Sequence, residues 1–85
     1  MEYKISRHAQ TEMERRNISL PQVESVLDSP QQILPEREGR KVYQSKVEFG
    51  NGKIFLLRVI VADDVEPKVV ITVYRTSKIE KYWSK

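Results

Sequence analysis

Arg58 stands alone as a charge inside an apolar run, Ile54-Phe55-Leu56-Leu57-Arg58-Val59-Ile60-Val61. Side chains of an extended chain alternate between faces, so Phe55, Leu57, Val59 and Val61 form an apolar face that must meet a core. Ile54, Leu56, Arg58 and Ile60 share the other face. On the run Lys68 to Arg75 the same alternation matches Val69, Ile71 and Val73 to the core and leaves Val70, Thr72 and Tyr74 beside Arg58. Pairing about a loop centred near residue 65 sets Arg58 opposite Thr72 or one pair away from it. Guanidinium, hydroxyl and phenol then converge as a phosphate site requires: the arginine fork spans two phosphate oxygens, and Thr72 and Tyr74 add hydrogen bonds. The structural alternative is an arginine whose stem lies along a half-exposed sheet with Tyr74 packed on it. Arginine costs more to place there than Lys or Gln, which favours the phosphate role.

His8 is the sole histidine, and imidazole is the side chain whose unperturbed pKa lies near neutrality, as a proton shuttle needs. Arg15 follows seven residues later, about 20° round a helix and about 10 Å along it, so the two point the same way. They would line one rim of a cleft floored by the Arg58 face or the sheet edge. Arg16 leans instead toward the buried stripe. A metal centre on His8, Glu12 and Asp63-Asp64 lacks a third convergent ligand and any recognised spacing. Gly-rich phosphate loops, nucleophile elbows and zinc patterns are missing, and with no cysteine there is neither a disulfide nor a thiolate.

These side chains need elements to hold them. Ser6 reads as the N-cap of a helix over 6–16 that Asn17 stops with a left-handed residue; Ala9 and Met13 are its narrow apolar stripe. Ser19 and Gln22 form a capping box for a second helix over 19–28, with Leu20, Val23, Val26 and Leu27 facing inward and Pro30 ending it. From residue 31 the period falls to 2. Strands are expected over 31–36, 41–49, 53–61 and 68–75, with Pro35 suited to an edge, a turn at 37–40 and a hairpin at Gly50-Asn51-Gly52. Ser77 and Glu80 suggest another capping box for a short helix over 78–83 that folds Ile79, Tyr82 and Trp83 back on the domain. The expected fold is therefore α+β: two N-terminal helices packed on a four-stranded antiparallel sheet, with a short C-terminal helix, in one domain over residues 1–85.

The chain's 85 residues bury only about 60–65% of the surface they expose when unfolded, so the core is thin and function belongs on the surface or in a shallow cleft. The longest apolar run falls far short of a membrane span, and the N-terminus lacks a signal-peptide core; a cytoplasmic protein is expected. Net charge is only +3, but it is concentrated: segment 37–53 carries +3 and segment 68–85 carries +4. Such blocks either solvate an outer face or meet a polyanion such as nucleic acid.

The pattern Ser6-Arg7-His8-Ala9, Met13, Arg16, Ile18, Val23, Val26-Leu27 and Pro30, followed by Arg40, Tyr43 and Val70-Ile71-Thr72-Val73-Tyr74, resembles the domain of unknown function 4258 family. That family is grouped with the barnase, EndoU, colicin and RelE superfamily of metal-independent ribonucleases, many of them toxins of toxin–antitoxin pairs. The resemblance spans roughly residues 6–75 and implies a RelE-like or barnase-like fold and an RNA endonuclease. It implies catalytic roles for His8, Arg58, Thr72 and Tyr74, and substrate contacts from Arg16 or Arg15, Arg40 and Tyr43. The implied partners are RNA, including ribosome-bound RNA, and a cognate antitoxin protein, with no membrane, metal or small-molecule cofactor. The chemistry would be attack of a ribose 2′-hydroxyl on its own 3′-phosphate, giving a cyclic phosphate and a 5′-hydroxyl. Members of the superfamily often lack a full acid–base pair and work by electrostatics and by orienting RNA. A non-catalytic RNA- or protein-binding module on the same fold is the alternative.

Overall fold

The computed structural model describes residues 3–85. Along the chain run β1 (Tyr3–Ile5), α1 (Arg7–Arg15), α2 (Leu20–Asp28), β2 (Gln32–Pro35), a 3-10 turn (Arg37–Gly39), β3 (Arg40–Glu48), β4 (Ile54–Ala62), β5 (Lys68–Thr76) and α3 (Ile79–Tyr82). The expected four-stranded antiparallel sheet is replaced by a five-stranded mixed sheet in the order β1-β5-β4-β3-β2. The added strand is β1, which runs parallel to β5 with Tyr3 against Lys68 and Ile5 against Val70. Three residues are too few to show alternation, and their partner lies 65 positions away, so nothing local announces the strand.

The helices start where their caps dictate. The Ser6 hydroxyl accepts the Ala9 N–H at 3.0 Å and donates to the Ile71 carbonyl at 3.0 Å, fixing the head of α1 to β5. Asn17 takes φ 58°, and the Ile18 N–H reaches back to the Met13 carbonyl at 2.8 Å, closing α1 with a left-handed residue. Ser19 and Gln22 form their capping box at the head of α2. Ser77, by contrast, does not cap the last helix: Lys78 precedes α3, and no side chain caps it.

One face of the sheet carries the main core. Tyr43, Leu57, Val59, Val61, Val70 and Val73 pack there with Ala9 and Met13 of α1 and Val23, Val26 and Leu27 of α2. The second face holds Val42, Gln44, Leu56, Arg58 and Ile60, all of them buried as well. A register shift between Ile60 and Val61 turns Val70 into the core, so Val70 does not lie beside Arg58 as alternation alone suggested. Gly50, Asn51 and Gly52 all have positive φ, the conformation this hairpin requires, and they set the register of β3 on β4.

Candidate nucleic-acid interface

The two hairpin registers stack four polar side chains into one row across the second face. Gln32 of β2 pairs with Gln44 of β3, Gln44 with Arg58 of β4, and Arg58 with Tyr74 of β5. With strands about 4.8 Å apart, the row is roughly 14 Å long. Its bonds run in series. Arg58 Nε donates to Gln44 Oε1 at 2.8 Å, and Arg58 Nη1 donates to the Tyr74 hydroxyl. Gln44 Nε2 donates to Gln32 Oε1 at 2.8 Å and to the Tyr82 carbonyl at 3.2 Å.

Arg58 is 8% exposed and Gln44 is fully buried. The ion pairs among the described residues use Glu12 and Asp63, and neither carboxylate reaches Arg58. Its partners are neutral: a carboxamide, a phenol and two rings. The guanidinium carbon sits 4.4 Å from the Tyr82 ring centre and 5.6 Å from that of Tyr74, contacts worth about 0.5–2 kcal/mol each. A buried cation with no counter-charge is costly unless something else compensates it. More cations rim the same face. Lys46 Nζ lies 4.2 Å from the Trp83 ring centre, and Lys81 Nζ lies 5.3 Å from that of Tyr82. Cations beside half-buried rings are chemically suited to meeting phosphates with charge and bases with ring faces.

The remaining expected residues are placed as follows. Thr72 lies on the same face, opposite Ile60 and one row along from Arg58. Arg40 is at the far end of β3, opposite Ala62, where it lines a groove of about 370 Å³ with Ile60, Glu36, Arg37 and Glu38. Tyr43 faces the helices and is buried in the main core, so it does not join the Arg58 side. The shared cleft of His8 and Arg58 does not form. His8 is exposed on α1, the helix that packs on the core face, and the sheet stands between it and the guanidinium. Arg15 and Arg16 both turn to Glu12, whose Oε1 accepts from Arg16 Nε at 2.9 Å and from Arg15 Nη2 at 3.4 Å. The Arg16 hydrogen bond, helped by the charges of Arg15, Arg16 and His8, holds the Glu12 carboxyl below the usual glutamate value. Next to Arg40 on β3, a 2.9 Å bond to Asp63 raises the Lys41 ammonium above its usual value.

Gln32, Gln44, Lys46, Tyr82 and Trp83 belong to this face and were not among the expected site residues. For Gln44 the signal was present: Gln44 and Arg58 are each seven residues from Asn51, the centre of the hairpin. No group of His, Cys, Asp or Glu suited to a metal ion occurs among the described residues.

Fold and face together define a small α+β domain with a buried arginine at the centre of one sheet face, hydrogen-bonded to neutral partners and, among the described residues, without a carboxylate. The chain matches the family described as domain of unknown function (DUF4258) over residues 5–75, and it belongs to that family. No curated protein and no solved structure matches it.

Proposed function

We propose that the protein is a metal-independent endoribonuclease of the ribonuclease superfamily that includes barnase and RelE, acting in the cytoplasm as the toxin of a toxin–antitoxin pair. The observation that carries the proposal is Arg58: a guanidinium held rigidly by Gln44 and Tyr74, with no carboxylate partner, on a face rimmed by Lys46, Lys81, Tyr82 and Trp83. An anion is the missing charge partner, and an RNA phosphate supplies it along with bases to stack on the rings.

In this scheme the ribose 2′-oxygen attacks its own phosphorus and the bond from phosphorus to the 5′-oxygen breaks. Arg58 takes the charge that builds on the non-bridging oxygens. The Tyr74 hydroxyl gives its proton to the departing 5′-oxygen, and the proton of the 2′-hydroxyl passes to solvent. Because the imidazole of His8 is on the far side of the sheet, no histidine serves as base here. A positioned base contributes about 10²–10⁴-fold, so turnover is expected to be slow unless the RNA or the ribosome supplies orientation. The same placement of His8 is what favours the alternative, an RNA-binding module without cleavage.

The test is incubation of purified protein with single-stranded RNA in EDTA, alone and with ribosomes. The expected result is fragments ending in cyclic phosphate and 5′-hydroxyl, lost in Arg58→Met and retained in His8→Ala. Salt-sensitive binding with intact RNA selects the binding module. Intact RNA with no binding sinks both.

A further inference from the structure

The guanidinium assigned to the phosphate is covered, and the cover is the C-terminal segment. Tyr82 lays its ring over Arg58 and sets it edge-on to Tyr74, with ring centres 6.4 Å apart at 75°. The segment adds no strand to the sheet. It is a four-residue helix without a side-chain cap, followed by Trp83 in extended conformation. Its hydrogen bonds to the sheet are made by two glutamines of the row. Gln44 Nε2 holds the Tyr82 carbonyl at 3.2 Å. Gln32 grips Ser84 twice, its Oε1 accepting the Ser84 N–H at 3.1 Å and its Nε2 donating to the Ser84 carbonyl. Beside these bonds the segment makes ring contacts, Tyr82 on Arg58 and Tyr74 and Trp83 under Lys46, and half-buries Ile79.

We propose that residues 79–84 are a strap that closes the Arg58 site, that Gln32 is its clasp, and that the strap must lift before an anion reaches the guanidinium. This rests on the assignment of Arg58 to phosphate binding. The physical case has three parts. An arginine 8% exposed cannot fork onto a phosphate without displacing Tyr82. A segment tied by a few side-chain to backbone bonds, each of modest net worth, lies at the low-stability end of the molecule and opens without unfolding the sheet. The strap also brings Lys81 toward a face already holding Arg58 and Lys46, so lifting it relieves a like-charge repulsion that the closed state bears. Observed affinity is the intrinsic affinity reduced by the open fraction, which lets the clasp set how strongly the protein holds RNA.

The experiment removes one of the clasp's two bonds without touching the sheet. Ser84→Pro removes the N–H that Gln32 accepts, and Trp83, at φ −76° and ψ 126°, already has the conformation a following proline demands. Ser84→Ala keeps the N–H and serves as the control. Access to Arg58 is read by its rate of modification with phenylglyoxal, by peptide mass spectrometry, against exposed Arg37 in the same sample. Affinity is read with a fluorescent oligouridylate. Ser84→Pro is expected to speed modification of Arg58 about fivefold and to tighten oligouridylate binding in the same proportion, with Ser84→Ala like the wild type. Unchanged modification of Arg58 in Ser84→Pro overturns the strap. Faster modification with weaker or equal binding also overturns it, provided Arg58→Met abolishes binding, because the segment then belongs to the bound state rather than closing it. Faster modification with oligouridylate binding that Arg58→Met leaves intact keeps the strap and removes the RNA assignment.

Discussion

Arg58 draws its geometry from Gln44, a residue whose burial is complete and whose carboxamide bonds to Gln32, Arg58 and the Tyr82 carbonyl. Replacing Gln44 with Leu strands the Nε donor of a buried cation and frees the Tyr82 carbonyl, at a cost of about 2–4 kcal/mol in urea unfolding. Adding Arg58→Met to that variant removes the stranded charge and is expected to return about 1–3 kcal/mol of it, a coupling that a double-mutant cycle measures. Additive losses would mean that the two side chains do not act as a unit. Arg58 was legible because a charge in an apolar strand breaks its pattern. Gln44 breaks no pattern, since a glutamine in a strand is unremarkable until the hairpin register sets it across from Arg58.

At the scale of elements, α1 is fixed at its head by Ser6 and laced along its exposed side by Glu12 with Arg15 and Arg16. The pairing lowers the Glu12 pKa in the folded chain relative to the unfolded one, chiefly through the Arg16 hydrogen bond. The stabilisation is therefore complete above the unfolded value and lost as pH falls through the folded value. Melting temperatures of wild type and Glu12→Gln at low salt should differ near neutrality and converge on acidification below the ordinary glutamate range. A gap that widens on acidification would contradict the assignment. The caps of α1 and α2 and the hairpin were readable because each is a local arrangement of a few residues, whereas the capping box expected at Ser77 does not form. The parallel strand β1 was not readable, since the strand it pairs with, β5, is reached across most of the chain. The one-residue shift at Ile60/Val61 likewise exists only in the pairing of β4 with β5, and it exchanges the expected face of Val70.

For the whole molecule, the sheet divides the chain into two sides with different work. The helix side holds the larger apolar cluster, with His8 on the outer surface of that layer, and the other side holds the polar row and its covering segment. Basic blocks at 37–53 and 68–85 correspond to β3, β5 and the strap, and of their cations Lys46 and Lys81 stand beside the rings next to Arg58, whereas Arg40 lies at the far end of β3 and Arg75 stacks on Phe49 and Phe55. The expectation of one cleft shared by His8 and Arg58 failed because a helix residue's direction round its own axis says nothing about which face of a sheet the helix will cover. The central claim is that RNA meets the sheet face at Arg58. Backbone NMR during titration with oligouridylate tests it directly: the account predicts that the amides of Gln44, Arg58, Tyr74 and residues 79–84 shift together and those of His8 to Arg15 stay in place. Shifts confined to α1 around His8, with the polar row unmoved, would contradict it.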